Sequence, residues 1–185
     1  MLDNVLVEEL RNQKILPVFN TSEIDLDIKR LELLLSQDLN IKNIEITLRK
    51  INSLEIGIEL SKRFPNIKFG LGSILSEDDY KIGLDKGFHF FVSPGIVEEL
   101  VQNKTKNYIP GAETVSEFMY LSKNNYKIIK FFPSNIAGGE KKLISIKNIL
   151  KEVTFIPTGG VNLKNYESFL SLNNVLCVGM SKFNR

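Results

Sequence analysis

One lysine in this chain stands alone inside an apolar run. In Ile128-Ile129-Lys130-Phe131-Phe132-Pro133 it is the lone charge, in the C-terminal half of a β-forming segment. If the side chain points inward, apolar groups surround the amine, and an uncharged amine is the nucleophile that attacks a ketone. If it points outward, its stem lies along apolar neighbours and its ammonium snorkels to water. The run by itself leaves both open.

A second constellation is Glu45-Ile46-Thr47-Leu48-Arg49. Side chains alternate along a strand, so Glu45, Thr47 and Arg49 share one face while Ile44, Ile46 and Leu48 share the other. The polar set is predicted to face the interior, where unpaired charge is costly. Either these residues serve a site, or Arg49 and Glu45 pair with each other. Four segments then combine glycine with hydroxyls: Gly70-Leu71-Gly72-Ser73, Ser93-Pro94-Gly95, Pro157-Thr158-Gly159-Gly160 and Gly179-Met180-Ser181. Glycines let backbone approach a ligand closely, and N–H groups with hydroxyls can hold an anion. Plain turn chemistry is the competing explanation. Ser73 could offer its hydroxyl to a carboxylate, and Pro94 could wall a pocket.

The single histidine, His89, lies between Phe88 and Phe90 early in a predicted strand, a position that reads as structural. One histidine excludes a histidine-clustered zinc site, and a Ser-His-Asp hydrolase would have to use His89 itself. No acidic pair at a strand end suggests magnesium. No metal and no cofactor are expected.

The elements that must position these residues follow a repeating order. Predicted strands are Ile15 to Asn20, Ile41 to Leu48, Ile67 to Ile74, Phe88 to Pro94, Tyr108 to Ala112, Lys127 to Ser134, Thr154 to Gly160 and Val175 to Ser181. Between them apolar residues recur at helical spacing, as in Ile28, Leu31, Leu34 and Leu35, then Ile51, Leu54 and Ile58. Ser76, Thr114 with Glu117, and Asn162 mark helix starts. Alternation of strand and helix implies a parallel sheet. Eight units beginning roughly nineteen to twenty-seven residues apart fit a small (β/α)₈ TIM barrel, of class α/β, better than an open sheet. In such a barrel the site forms at the C-terminal ends of the strands, where the unusual residues above fall, and phosphate is bound by the loops after strands seven and eight.

A helix from about Leu2 to Gln13 precedes the first strand and is predicted to plug the barrel bottom, with Leu2, Leu6 and Leu10 on one face. After the eighth strand only Lys182-Phe183-Asn184-Arg185 follow, so the eighth helix is expected to be missing. The outward side chains of Val175 to Met180 and Ile15 to Phe19 are then expected to lack cover, which favours a homo-oligomer.

With 185 residues and no Pro- or Gly-rich linker, residues 1–185 suit one domain. A 43% hydrophobic and 25% charged composition excludes disordered and collagen-like classes. Lys and Arg number 24 against 22 Asp and Glu and are spread along the chain, which argues against a nucleic-acid partner. The densest basic cluster, Lys104-Thr105-Lys106, suits a solvated helix end. The N-terminus lacks a basic segment and a long apolar stretch, so neither membrane insertion nor secretion is expected. The lone Cys177 fits a reducing, cytoplasmic compartment.

Taken together, Glu45-Ile46-Thr47-Leu48-Arg49, Gly70-Leu71-Gly72-Ser73, Val92-Ser93-Pro94-Gly95, Ile109-Pro110-Gly111, Lys130-Phe131-Phe132-Pro133 and Pro157-Thr158-Gly159-Gly160 resemble the 2-keto-3-deoxy-6-phosphogluconate (KDPG) aldolases, which also act on 4-hydroxy-2-oxoglutarate. They run through nearly the whole chain in the family's order. The resemblance implies a Schiff-base aldolase in which Lys130 forms an imine with the keto carbon and Glu45 moves protons. Arg49 and Ser73 would hold the pyruvyl carboxylate, and Pro94 and Phe132 would wall the pocket. Thr158, Gly159, Gly160, Gly179 and Ser181 would take the distal phosphate or carboxylate. It implies a homotrimer, a small phosphorylated 2-keto acid as substrate, and no metal. Ser73 replaces a threonine common in relatives and keeps the hydroxyl. Met180 stands where relatives often have glycine, which is expected to weaken anion binding. A non-catalytic sugar-phosphate-binding barrel and a phosphosugar isomerase are the rival functions.

Overall fold

The computed structural model describes residues 2–37 and 39–183. The chain opens with α1 (Asn4–Gln13) and β1 (Ile15–Asn20), followed by α2 (Ile24–Leu35), β2 (Asn43–Thr47), α3 (Ser53–Arg63) and β3 (Lys68–Gly72). It continues through α4 (Glu77–Asp85), β4 (Phe90–Val92), α5 (Glu98–Gln102), β5 (Tyr108–Ile109), β6 (Gly111–Ala112) and α6 (Val115–Lys123). The last elements are β7 (Ile128–Phe131), α7 (Gly139–Ile146), β8 (Thr154–Pro157), α8 (Tyr166–Leu170) and β9 (Val178–Met180).

All strand pairs are parallel. Six strands pair in the order β5-β4-β3-β2-β1-β9, and three in the order β6-β7-β8. β5 and β6 are the predicted fifth strand, interrupted at Pro110, whose ring nitrogen has no hydrogen to give the ladder. Its carbonyl still accepts from Lys130 N at 2.9 Å. The other seam is bridged at Phe155↔Val175 and Thr158↔Gly179. The sheet therefore curls into a TIM-like α/β barrel.

Strand parity divides the core in two. Outward residues such as Ile44, Ile46, Leu71, Phe131 and Phe155 pack with Leu31, Leu60, Leu100, Phe118 and Leu143 of the helices. Inward residues Leu16, Phe90, Val92, Ile109 and Ile156 pack with Leu6 and Leu10 of α1. The N-terminal helix thus plugs the bottom, and each buried leucine contributes about 1.5–3 kcal/mol. Gln13 ties the plug to the sheet, its amide donating to the carbonyls of Ile15 at 2.9 Å and Asn43 at 3.0 Å. Apolar filling below leaves only the upper barrel free for chemistry.

Ser76 caps α4 through Asp79 N, and Thr114 forms a full capping box with Glu117. Other expectations need correction. Asn162 does not cap α8; it starts a turn, and Asn165 is the cap. Ile51 lies in a turn before α3, fully exposed, because the helix begins only at Ser53. His89, exposed ahead of β4, stands at the bottom of that strand, away from the strand C-termini. No helix follows β9 among the described residues, yet Ile15, Phe19, Val175, Val178 and Met180 are all buried. Leu170 of α8 and Phe183, both partly buried, pack against that same cluster and provide cover within the chain. No helix among the described residues is long and apolar enough to cross a membrane.

Candidate active site

Lys130 points inward. It follows Ile129 and precedes Phe131, both turned to the helical layer, so parity sends its side chain toward the barrel axis. There its Nζ donates to Glu45 Oε1 at 2.9 Å and lies 3.4 Å from Oε2. Both side chains are almost wholly buried, at 5% and 1% exposure. The Phe132 ring lies 5.5 Å from the amine. This pair replaces the alternative in which Glu45 would meet Arg49. Such a buried pair is strongly interdependent, since removing one member leaves the other charge uncompensated.

Gly72 explains how the carboxylate fits. A Cβ there would stand 2.1 Å from Glu45 Oε1, so only glycine on the neighbouring strand leaves the space. Gly70 similarly admits the Phe90 ring, 2.2 Å from where its Cβ would be. These glycines make room for protein side chains rather than for a ligand.

Arg49 follows β2 and is exposed; its Nε donates to Ser73 Oγ at 3.3 Å. Ser73 holds φ at 60°, a left-handed conformation uncommon for a residue with a Cβ and frequent at functional sites. Pro94, after β4, packs its carbonyl against Gly111, the residue in register with Lys130.

The anion-binding candidates converge on one cleft. Arg49, Phe132, Thr158, Gly159, Gly160, Gly179 and Ser181 line it together with Val18, Asn20 and Val161. Its volume is about 90 Å³. Larger clefts of about 370 and 520 Å³ lie beside α2 and α8, away from the loops after β2 and β8. Gly159 and Gly160 take φ of 90° and 80°, which a side chain would strain. The Gly159 carbonyl accepts from Ser134 Oγ at 3.0 Å and Asn135 N at 3.1 Å, and the Gly160 carbonyl from Asn162 and Asn165 at 3.1 Å each. In a trans peptide the N–H opposes the C=O, so the Gly160 and Val161 N–H groups turn the other way. Neither has a hydrogen-bond partner among the described residues. The loop can therefore cradle an anion.

Met180 does not enter this cleft. Its side chain is buried in the outer cluster, while Gly179 lines the cleft and leaves space for Thr158 Oγ1. The expected interference of Met180 with an anion therefore has no steric basis. Asn20 and Val18 went unremarked in the sequence, although the parity of β1 places Leu16, Val18 and Asn20 on the inner face. Cys177 is buried, and loss of hydration pushes its thiol far above the ordinary range, which leaves it unreactive. Among the described residues, no three His, Cys, Asp or Glu stand together as a metal site.

Fold and site define a TIM-like barrel with a buried amine beside a carboxylate and a glycine-lined cleft at the mouth. Residues 6–185 match the family described as KDPG and KHG aldolase. The chain belongs to that family, whose members break carbon–carbon bonds. It is 35% identical over 144 residues to the KHG/KDPG aldolase of Escherichia coli (strain K12), across 76% of this chain and 68% of the relative. It is also 32% identical over 139 residues to the 2-dehydro-3-deoxy-phosphogluconate aldolase of Pseudomonas aeruginosa, across 74% and 63% of the two chains. Among solved structures, KDPG aldolase from Legionella pneumophila, with pyruvate captured at low pH as a covalent carbinolamine, superposes with a TM-score of 0.86 at 33% identity, covering 94% of this chain and 84% of that one.

Proposed function

We propose that this chain is a class I aldolase that cleaves 2-keto-3-deoxy-6-phosphogluconate, 4-hydroxy-2-oxoglutarate or both, releasing pyruvate with glyceraldehyde 3-phosphate or glyoxylate. The observation that carries this is the buried contact of 2.9 Å between Lys130 Nζ and Glu45 at the C-terminal end of the barrel strands. Lys130 gives its proton to Glu45 and adds to C2. Glu45 returns that proton to the carbinolamine hydroxyl, which leaves as water, so that a protonated imine forms and Glu45 is again a carboxylate. Glu45 then takes the C4 hydroxyl proton, the C3–C4 bond breaks, and its electron pair moves into the imine to form an enamine. The aldehyde departs, C3 regains a proton, and water releases pyruvate and the free lysine.

In this reading Arg49 and Ser73 hold the C1 carboxylate, while Pro94 and Phe132 wall the reacting carbons. Thr158, Gly159, Gly160, Gly179 and Ser181 hold the distal anion, supported by their common cleft. No metal takes part. Residues 1–185 form one (β/α)₈ domain working in the cytoplasm, in keeping with the lone buried thiol of Cys177. A homotrimer fits the exposed Leu75 and Ile136 on loops after β3 and β7, apolar groups that a monomer leaves wet. Borohydride reduction in the presence of pyruvate, followed by peptide mass mapping, tests the chemistry. Lys130 is expected to be the sole modified lysine; an adduct elsewhere, or none, overturns the class I assignment.

A further inference from the structure

Asn20 is the last residue of β1, and the register Asn20↔Thr47 sets it level with the end of β2. Its side chain lines the same cleft as Arg49, Gly160 and Ser181. One end of the amide is already committed: Thr47 Oγ1 shares its single proton between Asn20 Oδ1 at 2.9 Å, the shorter contact, and the Phe19 carbonyl at 3.2 Å. The backbone carbonyl of Asn20 is likewise occupied, accepting from Arg30 at 3.3 Å. Asn20 Nδ2 has no hydrogen-bond partner among the described residues. A buried threonine thus orients the amide and leaves two N–H donors free in the cleft.

The position around the mouth indicates what those donors meet. In strand order β1 lies between β9, whose end contributes Gly179 and Ser181, and β2, whose end leads to Arg49. On the reading above, Arg49 holds the C1 carboxylate and the loops after β8 and β9 hold the distal anion. Asn20 sits between the two, level with the uncharged middle of the substrate. The C4 hydroxyl there is taken by Glu45. A six-carbon 2-keto-3-deoxy acid has a further hydroxyl at C5, on the aldehyde fragment, whereas 4-hydroxy-2-oxoglutarate has none.

We propose that Asn20 is a specificity-determining residue that donates a hydrogen bond to the C5 hydroxyl of the aldehyde fragment and so favours hydroxylated sugar acids over the shorter dicarboxylate. The proposal rests on the aldolase reading, and the experiment separates the two. Asn20→Ala and Asn20→Asp would be compared with the unchanged protein in kcat/KM for phosphorylated 2-keto-3-deoxygluconate, the unphosphorylated acid and 4-hydroxy-2-oxoglutarate, with borohydride trapping of pyruvate alongside. Loss of one neutral hydrogen bond predicts a roughly three- to tenfold fall for both six-carbon acids in Asn20→Ala. The trapping should be unchanged, and the dicarboxylate, whose C5 carboxylate is held by the loops after β8 and β9, should fall less than either six-carbon acid. Asn20→Asp should fall at least as far on the phosphorylated acid, because it loses the donor and adds a negative charge near the distal anion.

Equal losses on six-carbon and shorter substrates would overturn the proposal, as would an undiminished Asn20→Ala variant. A loss confined to the phosphorylated acid would assign Asn20 to the phosphate and overturn its hydroxyl role. Failure of the unchanged protein to trap pyruvate would sink the aldolase reading instead.

Discussion

Replacing Gly72 by alanine should disable the site while sparing the fold. The added Cβ would lie 2.1 Å from Glu45 Oε1, 2.5 Å from its Cγ and 2.6 Å from its Cδ, and ordinary contact begins at 3.4 Å. Separating Cβ from Oε1 from 2.1 to 3.4 Å displaces the carboxylate by about 1.3 Å. The obstructing atoms are the far end of a flexible side chain, and Gly72 does not adopt a left-handed φ, so the backbone tolerates the change. The Lys130–Glu45 contact of 2.9 Å does not. A misplacement of about 1 Å in a catalytic constellation costs on the order of 10²-fold, or about 2.7 kcal/mol of barrier. Pyruvate release should therefore fall about 10²-fold in kcat/KM, while circular dichroism still reports the native fold, with a melting temperature lowered by the strain on the buried pair. Gly70→Ala is the contrasting control, because its Cβ would strike the Phe90 ring of β4, which packs on the plug, and should lower the melting temperature without touching Glu45. Full activity in a folded Gly72→Ala variant would refute the claim that the placement of Glu45 governs the chemistry.

Glu45→Gln should slow cleavage by about 10² to 10⁴-fold, the cost of losing a general acid or base, yet still trap some pyruvate on Lys130; turnover at the original rate would leave Glu45 as no more than an ion-pair partner. Activity should persist in excess EDTA, and a loss restored by Mg²⁺ or Zn²⁺ would overturn the metal-free scheme. Burial, then neighbouring Tyr108, pushes the Tyr126 phenol up to about 12, against about 10 when unfolded. Between those values the native state keeps a proton that the unfolded state gives up, so the stability is present below about 10 and lost as pH rises. The fall in melting temperature over that alkaline range should be shallower in Tyr126→Phe. Met180→Gly should leave KM for the phosphorylated substrate unchanged while lowering stability by at least the about 2–5 kcal/mol of truncating a buried methionine to alanine, read by denaturant titration.

Strand order and the plug were legible because they depend on periodicity. Leu6 and Leu10 recur at helical spacing and do fill the barrel bottom, and all the predicted strands occur. Their limits were overdrawn where the same alternation runs past the last ladder bond, as at Pro94 and Gly160, which belong to the loops. The bare outer face of β9 was a misjudgement of a different kind. Counting helices treats cover as one helix per strand gap, whereas α8 and Phe183 reach the same apolar surface. Burial depends on distances between elements far apart in sequence, and no local pattern reports those.

The site was legible to the extent that strand parity is. Glu45 and Lys130 each sit between two outward apolar neighbours, and two independent strands facing one axis must bring their inward charges together in a dry space. The same rule, applied to the other strands, separates what the motif alone confuses. It turns Met180 away from the anion cleft although it lies between two cleft residues, and it turns Asn20 inward although its run carries no charge to draw attention. What parity does not supply is who partners whom. Arg49 and Glu45 share a face of β2, so pairing them is the local solution, yet Lys130 on β7 takes the carboxylate and Arg49 is left to Ser73. The choice follows from depth: Glu45 and Lys130 lie below the rim in low dielectric, where a charge requires its counter-charge, whereas Arg49 stands at the mouth, where water solvates it.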